Sequence, residues 1–597
     1  MRFFNSTCSE TTIALMNPRC RLSFLVGICL TACLLVPAAR AQAASFAPPP
    51  AAWRPMRWST LFTAQDVQRY LTTPAGRGAA LAFCRRMHIR QVYLEIFRDG
   101  DQVSNSLLRS ARAFFLRHGI AAGGMVATTD LGKPSTGWKV VACYTHPANR
   151  RHLREIFRSA AAIFPRILID DFFFTDCTCS ECAAARARLS KPGHLISWAQ
   201  YRRHLMLAVS RQDVLGPAHA VNPRVRVVIK YPQWYDEFQK RGYRVGAESR
   251  LFDGTWIGTE TRDPRSRHWG VTQQYRASLL PGWIERIAPG KLGGGWFDPY
   301  GTTPPIYLDQ AWQTMLARLP EAMLFHYGEL VSHSRPQALA LEQAEPAIER
   351  MDRQIGAARF TQLPAYKPVS SGNDGEDYIY DNVGMLGIPV KMVPQFPQSA
   401  PMAMFATYGL RDAQFVPELK AFLAAGHTAI LTSRLAKELA GDPRLPGFTR
   451  LERAALGIPA HPGAVATAAL LPQSRPYGGG AVIIVPDADL LAARLKPTPP
   501  PALRPASLPH SRAARVRLEP ALPLPLPPRP AVLRQAVLAS FGLSTNAPLR
   551  VALYPAPGFV VADNFNDHPA SFTIRRGHET LSFRLVPPHT AVLHHWR

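Results

Sequence analysis

At 597 residues the chain is longer than a single typical domain, and two to four domains are expected. Hydrophobic residues make up 47% and charged residues 19%, which excludes a polar, disordered chain. The net charge of +27 does not imply a nucleic-acid partner: the excess of 69 Lys and Arg over 42 Asp and Glu is scattered, with no basic block and no zinc-finger, basic-zipper or RNA-binding signature.

Residues 1–41 read as a signal peptide. Arg19 and Arg21 precede an apolar run over 22–36, and Ala39-Arg40-Ala41 fits a signal-peptidase site. The alternative is a lipoprotein, because Leu30-Thr31-Ala32-Cys33 resembles a lipobox that would leave Cys33 acylated. Both readings predict a periplasmic or secreted protein, attached to a membrane only if Cys33 is lipidated. No later run has the ~18 consecutive apolar residues of a membrane span.

Over 54–356, short apolar runs alternate with amphipathic stretches. Strand-like runs fall at 58–62, 89–97, 120–128, 166–174, 225–234, 250–258, 293–298 and 322–327. Helical patterns lie between them, for example at 104–118, 149–162, 198–214, 309–319 and 337–353. Strands buried on both faces read as continuous apolar runs. Eight such units over about 300 residues predict a TIM (β/α)8 barrel, with an open doubly wound sheet as the alternative.

Residues 357–496 repeat the α/β pattern at flavodoxin-like size. A βα unit is expected to open over 375–389, with strands at 402–407, 428–433 and 481–485 and a helix at 416–426. Residues 497–530 are a proline-rich linker. Residues 531–597 alternate apolar and polar positions at 549–553, 559–562, 570–574, 581–585 and 590–593, which predicts a small antiparallel β-sandwich.

Four cysteines of the mature chain, Cys143, Cys177, Cys179 and Cys182, form C-x33-C-x-C-x2-C. Three thiolates within a tight turn suit tetrahedral Zn(II), and neighbouring βα loops of a barrel bring the fourth to the same face. Two disulfides are the alternative in an oxidising compartment. Cys84 stands alone in a helical stretch and reads as a small buried hydrophobe.

The segments Asp176-Cys177-Thr178-Cys179-Ser180-Glu181-Cys182 and Cys143-Tyr144-Thr145-His146-Pro147 resemble the zinc segments of family 42 β-galactosidases. The domain order is similar too, with 377–389 resembling the opening of that family's second domain and Asn564-Phe565-Asn566-Asp567 its last domain's turn. The resemblance implies a structural zinc, a homotrimer held through the second domain, a carbohydrate substrate and catalytic carboxylates at the ends of the fourth and seventh strands.

Glycoside hydrolysis needs two carboxylates flanking the scissile bond. The fourth strand ends in Asp170-Asp171, where the family carries Asn-Glu, and the seventh in Asp298, where it carries the nucleophilic Glu. The expected roles are acid/base for Asp170 or Asp171 and nucleophile or base for Asp298. Asp171 with Glu260 or Asp253 on the sixth unit is an alternative pairing, and Glu329 is a further rival. Glu95 is an acid in an apolar run that a barrel cation such as Lys230 would neutralise. Tyr231, Trp234, Trp256, Trp296 and His326, together with Tyr235 and Tyr327, are candidate sugar contacts because they fall near predicted strand ends. The resulting expectation is an exported glycosidase. A non-catalytic carbohydrate-binding barrel and a zinc hydrolase are the competing readings, the latter disfavoured because four cysteines leave zinc no open position.

Overall fold

A computed structural model of the chain describes residues 53–266, 272–456, 474–495 and 524–597. The expected signal peptide over 1–41, Cys33 and most of the linker over 497–530 lie outside these residues.

Eight parallel strands form the first domain: β1 (Arg57–Phe62), β2 (Gln91–Arg98), β3 (Ala121–Val126), β4 (Arg166–Ile169), β5 (Arg226–Tyr231), β6 (Gly254–Gly258), β7 (Leu292–Phe297) and β8 (Glu321–Leu324). The sheet closes on itself. Arg57 of β1 pairs with Glu321 of β8, and Ser59 pairs with Gln91 of β2, so the open doubly wound alternative is excluded. Leu61, Tyr93, Met125, Leu168, Val228, Trp256, Trp296, Met323 and Phe325 fill the interior. The run Gly293-Gly294-Gly295 in β7 has a steric cause. A Cβ on Gly294 would lie 2.7 Å from the Trp256 indole, so only a bare backbone admits that ring. At the lower end of the barrel, Glu321 is buried between Arg57 at 3.1 Å, Arg166 at 3.6 Å and the Tyr93 hydroxyl at 3.0 Å.

The second domain is a six-stranded sheet of β9 (Leu363–Tyr366), β10 (Val390–Val393), β11 (Met402–Phe405), β12 (Thr428–Thr432), β13 (Arg475–Tyr477) and β14 (Gly480–Val485). Its order is β10-β9-β11-β12-β14-β13, with β13 antiparallel. The five parallel strands have the flavodoxin-like order 2-1-3-4-5. One expectation is corrected here. The opening strand is β9, and 375–389 holds the helix Ile379–Met385 instead. Pro364 interrupts the apolar pattern of β9 and hid it. Buried ion pairs join this domain to the barrel: Lys367 Nζ lies 2.9 Å from Asp236, and Arg276 pairs with Asp381.

The C-terminal sandwich packs sheet β15-β18-β19 with sheet β16-β17-β20. The strands are β15 (Leu543–Thr545), β16 (Val551–Ala556), β17 (Phe559–Asn564), β18 (Ala570–Arg576), β19 (Glu579–Val586) and β20 (Thr590–His595). A helix, Pro528–Ala539, precedes it and begins inside the expected linker. Prolines in a first helical turn cost no hydrogen bond, so a proline-rich run can end in one. One apolar core runs continuously from Met56 through the second domain to Ala591. Among the described residues, no helix is long and apolar enough to cross a membrane.

Candidate active site

The C-terminal mouth of the barrel gathers a chain of alternating charges. Asp170 directly follows β4 and is buried; Arg98, which ends β2, donates to its Oδ2 at 2.5 Å and to Glu95 Oε2 at 2.8 Å. Burial and the neighbouring Asp171 push the Asp170 carboxyl well above the usual range, against the pull of Arg98. Asp171 turns the other way, because successive residues leaving a strand point to opposite sides. Lys230 of β5 donates to Asp171 Oδ2 at 2.7 Å and to Glu260 Oε1 at 3.1 Å, and its ammonium lies 3.4 Å from the centre of the Trp296 ring.

This geometry drives two acids apart. Burial opposes ionisation of Asp171, but the Lys230 charge, the hydrogen bonds with Asp170 and Lys230 and the Arg262 charge together outweigh it and hold the carboxyl below its ordinary value. Glu260 shares the same lysine, yet burial, with Asp171 and Asp298 nearby, pushes it up to about 7. Its Oε2 is buried without a hydrogen-bond partner. The side chain folds back over Gly258, where a Cβ would lie 2.6 Å from both carboxylate oxygens.

Asp298, which follows β7, is held through both oxygens by Arg262, with Nε at 3.0 Å and Nη2 at 2.5 Å. It also accepts from the Tyr300 backbone at 3.2 Å. It is not a helix cap; the next helix, Pro304–Leu316, is preceded by Thr303. His326 closes the ring of groups, its Nε2 3.1 Å from the Tyr300 hydroxyl and its Nδ1 2.6 Å from Asp66.

Several expected positions are corrected. Glu95 pairs with Arg98, not Lys230, because the guanidinium at the end of its own strand is nearer. Tyr231 follows the inward-facing Lys230, so it faces outward, and its hydroxyl bonds Ser249 behind the barrel wall. Trp256 is sealed in the barrel interior edge-on to Tyr93 and offers no sugar platform. Asp253 lies at the start of β6, on the opposite face, and accepts from the Val227 backbone. Tyr235 bonds Asp381 at the domain junction, Tyr327 is packed against Phe62, and Glu329 bonds Ser334. Trp234 does sit at the mouth, edge-on to Phe174. Sequence reasoning missed Arg98, Arg262, Asp66 and Tyr300. Arg98 and Arg262 could have been found as cations beside apolar-run acids; Asp66 carried no signal beyond a helix cap.

The four cysteines converge. Their Sγ atoms all lie within 4.8 Å of one another, Cys143 being 3.6 Å from Cys182 and 3.8 Å from Cys179. All are free thiols. Tetrahedral zinc with Zn–S bonds near 2.3 Å requires sulfur separations of about 3.8 Å, so the donor set fits the ion. Cys84 is buried, and burial pushes its thiol up to about 12, as a structural cysteine requires.

Comparison with known proteins places the chain. Residues 49–357 match the family model described as the catalytic domain of probable glycosyl hydrolases. An uncharacterized protein of Saccharolobus solfataricus is 23% identical over 363 residues, covering 54% of this chain and 59% of its own length, less than two thirds of that relative. Among solved structures, the family 42 β-galactosidase Gan42B of G. stearothermophilus superposes with a TM-score of 0.59 at 11% identity, over 91% of this chain and 98% of its own. The β-galactosidase of Bacillus circulans sp. alkalophilus gives 0.55 at 11% identity, over 91% and 99%. The α-L-fucosidase isoenzyme 2 of Paenibacillus thiaminolyticus gives 0.55 at 11% identity, over 87% and 93%. At such identities the likeness is one of fold, and it meets the expectation of a family 42-like three-domain architecture. Since the family model spans more than half of the chain, this protein belongs to the glycosyl hydrolase catalytic-domain family.

Proposed function

We propose that the chain hydrolyses a glycosidic bond with Glu260 as general acid/base and Asp171 as nucleophile. The observation that carries this reading is the pair of carboxyls, Asp171 and Glu260, that share the buried Lys230 ammonium at the end of the barrel, in surroundings that lower one and raise the other. Two carboxyls whose surroundings drive their pKa values apart divide naturally into acid and base. Contacts of 2.7 and 3.1 Å to a single nitrogen cap the separation of the two oxygens at about 6 Å, shorter than the ~6.5–9.5 Å of inverting pairs and compatible with retention.

In the first step Asp171 attacks the anomeric carbon while Glu260 gives its proton to the departing oxygen, leaving a glycosyl ester. In the second, the Glu260 carboxylate takes a proton from water, which attacks the same carbon and releases Asp171. Lys230 keeps Asp171 ionised. Arg98, with Asp170 and Glu95, and Arg262, with Asp298, build the walls. Trp234 and His326 would flank the sugar; Trp296, expected as a sugar contact, is instead buried in the barrel interior and packs against Lys230.

A second reading makes Asp298 the nucleophile, favoured by its place at the end of β7. Asp171→Asn, Glu260→Gln and Asp298→Asn, assayed on glycosyl fluorides and on oligosaccharides, separate the two. The first reading expects Asp171→Asn to abolish turnover of both, Glu260→Gln to spare the fluorides, and azide to rescue Asp171→Gly. Azide rescue of Asp298→Gly instead would transfer the role. Sugar binding without any turnover would leave a carbohydrate-binding barrel.

Cys143, Cys177, Cys179 and Cys182 would hold a zinc ion whose chemistry is a cross-link between the loops after β3 and β4. The N-terminal pattern supports export to the periplasm or beyond, and the second domain supports a homotrimer.

A further inference from the structure

We infer that Trp138 is a sugar-binding platform, forming a subsite next to the carboxylates for a second pyranose unit of the substrate. The inference rests on the hydrolase reading. It assigns an oligomeric glycan, not a simple monosaccharide derivative, as the substrate class.

Trp138 is 46% exposed, which is unusual for so large an apolar side chain. It sits at the tip of the loop after β3. Its ring packs on Phe172 and Phe174, with centroids at 5.4 and 5.9 Å, and nearly half of the side chain is left open to solvent. Phe172 is the residue after Asp171, and Phe174 packs on Trp234 at 5.3 Å. An aromatic row therefore leads outward from the proposed nucleophile, with the indole at its outer end.

The loop is built to hold that ring in place. Cys143 N–H donates to the Lys133 carbonyl at 3.0 Å and Ser135 N–H to the Val141 carbonyl at 2.8 Å, closing a hairpin-like base. At the tip, the Trp138 N–H is shared between both oxygens of Asp176 at 3.1 and 3.0 Å, and Ser135 Oγ donates to the same carboxylate. Arg241 fixes Asp176 from the other side at 2.6 Å. Gly137 permits the approach, since a Cβ there would lie 2.4 Å from the Asp176 carboxylate carbon. Asp176 immediately precedes Cys177, and the hairpin base ends in Cys143, so two of the clustered cysteines anchor the platform.

An exposed indole left to itself would collapse onto its neighbours. One held by a buttressed backbone beside a catalytic cleft loses little freedom when a ligand stacks on it. The C–H face of a pyranose fits a flat aromatic surface, and its hydroxylated edge remains in water.

The test uses the full chain and compares kcat/KM on a glycosyl fluoride, too small to reach Trp138, with that on tri- and tetrasaccharides of galacto, gluco and fuco configuration. Trp138→Ala is expected to lose about tenfold more on the longer substrate than on the fluoride, mainly through KM, with Trp138→Phe intermediate. Leu339→Ala, an exposed control on the helix Arg335–Ile355, should match the parent on both. Equal losses on both substrates would overturn the platform while leaving the hydrolase reading intact. Saturable binding without turnover would remove the hydrolase reading, and the platform would then stand or fall on whether Trp138→Ala weakens binding of the trisaccharide more than of the monosaccharide. A parent protein that neither cleaves nor binds any of these sugars would sink both.

Discussion

Arg265, on the loop that follows β6, donates to the carboxylate of Asp567 in the C-terminal sandwich. The segment carrying Glu260 and Arg262 is thereby tied to a domain three hundred residues further along the chain. Asp567 also contacts His589 Nε2 at 3.0 Å, and His589 Nδ1 reaches Asp309 of a barrel helix at 2.8 Å. The sandwich thus meets the barrel through an imidazole held between two carboxylates.

That imidazole makes stability depend on alkaline pH. Burial alone would lower the His589 pKa, but Asp309 and Asp567 outweigh it and raise it to about 10. A group whose folded pKa lies above its unfolded value stabilises fully below the unfolded value, near 6.5, and loses that contribution as pH rises through about 10. The thermal midpoint should fall by several degrees between pH 7 and pH 10 in the parent, and by clearly less in His589→Gln. Parallel curves for the two proteins would refute the linkage.

With Glu260 as the proposed acid, its ionisation should set the high-pH limb of activity. With its carboxyl pushed up to about 7 and needed in the acid form, kcat/KM on oligosaccharides should fall as pH rises through about 7. Asp171, held below its ordinary value, stays ionised well into the acid range, so the low-pH limb should lie below that of an ordinary aspartate. Gly258→Ala should force the Glu260 carboxylate aside, because the new Cβ would meet both oxygens at 2.6 Å. A loss of about a hundredfold in kcat with a displaced upper limb is expected. A variant with parental rates and an unmoved limb would show that Glu260 is not the acid.

Purified protein should carry one zinc per chain, released by a thiol-modifying reagent and counted with a colorimetric chelator. Cys182→Ser should lower the thermal midpoint by several degrees and should weaken oligosaccharide turnover through the loop bearing Trp138. Finding four oxidised cysteines and no metal would favour the two disulfides instead.

The barrel was legible because its strands are apolar on both faces and its helices are not, and each predicted run falls within a few residues of an observed strand. The cysteine spacing is likewise legible as a convergent donor set, because three of the four thiols fall within six residues. β9 was not legible, because Pro364 breaks its pattern. Nor was the inward or outward sense of Lys230 and Tyr231, or of Asp170 and Asp171, since a slip of one residue exchanges the two faces.

The sequence by itself determined the architecture, the domain order and the acids Asp170, Asp171, Glu260 and Asp298 available at the barrel mouth, because hydrophobic period and local spacing are properties of neighbours along the chain. Only the tertiary structure decided which acid meets which cation. Glu95 lies with Arg98, Asp171 and Glu260 share Lys230, and Asp298 faces Arg262. Apart from Glu95–Arg98 within β2, those pairings join different strands and loops, and the ionisation each carboxyl adopts depends on the burial and charge that only the closed barrel creates.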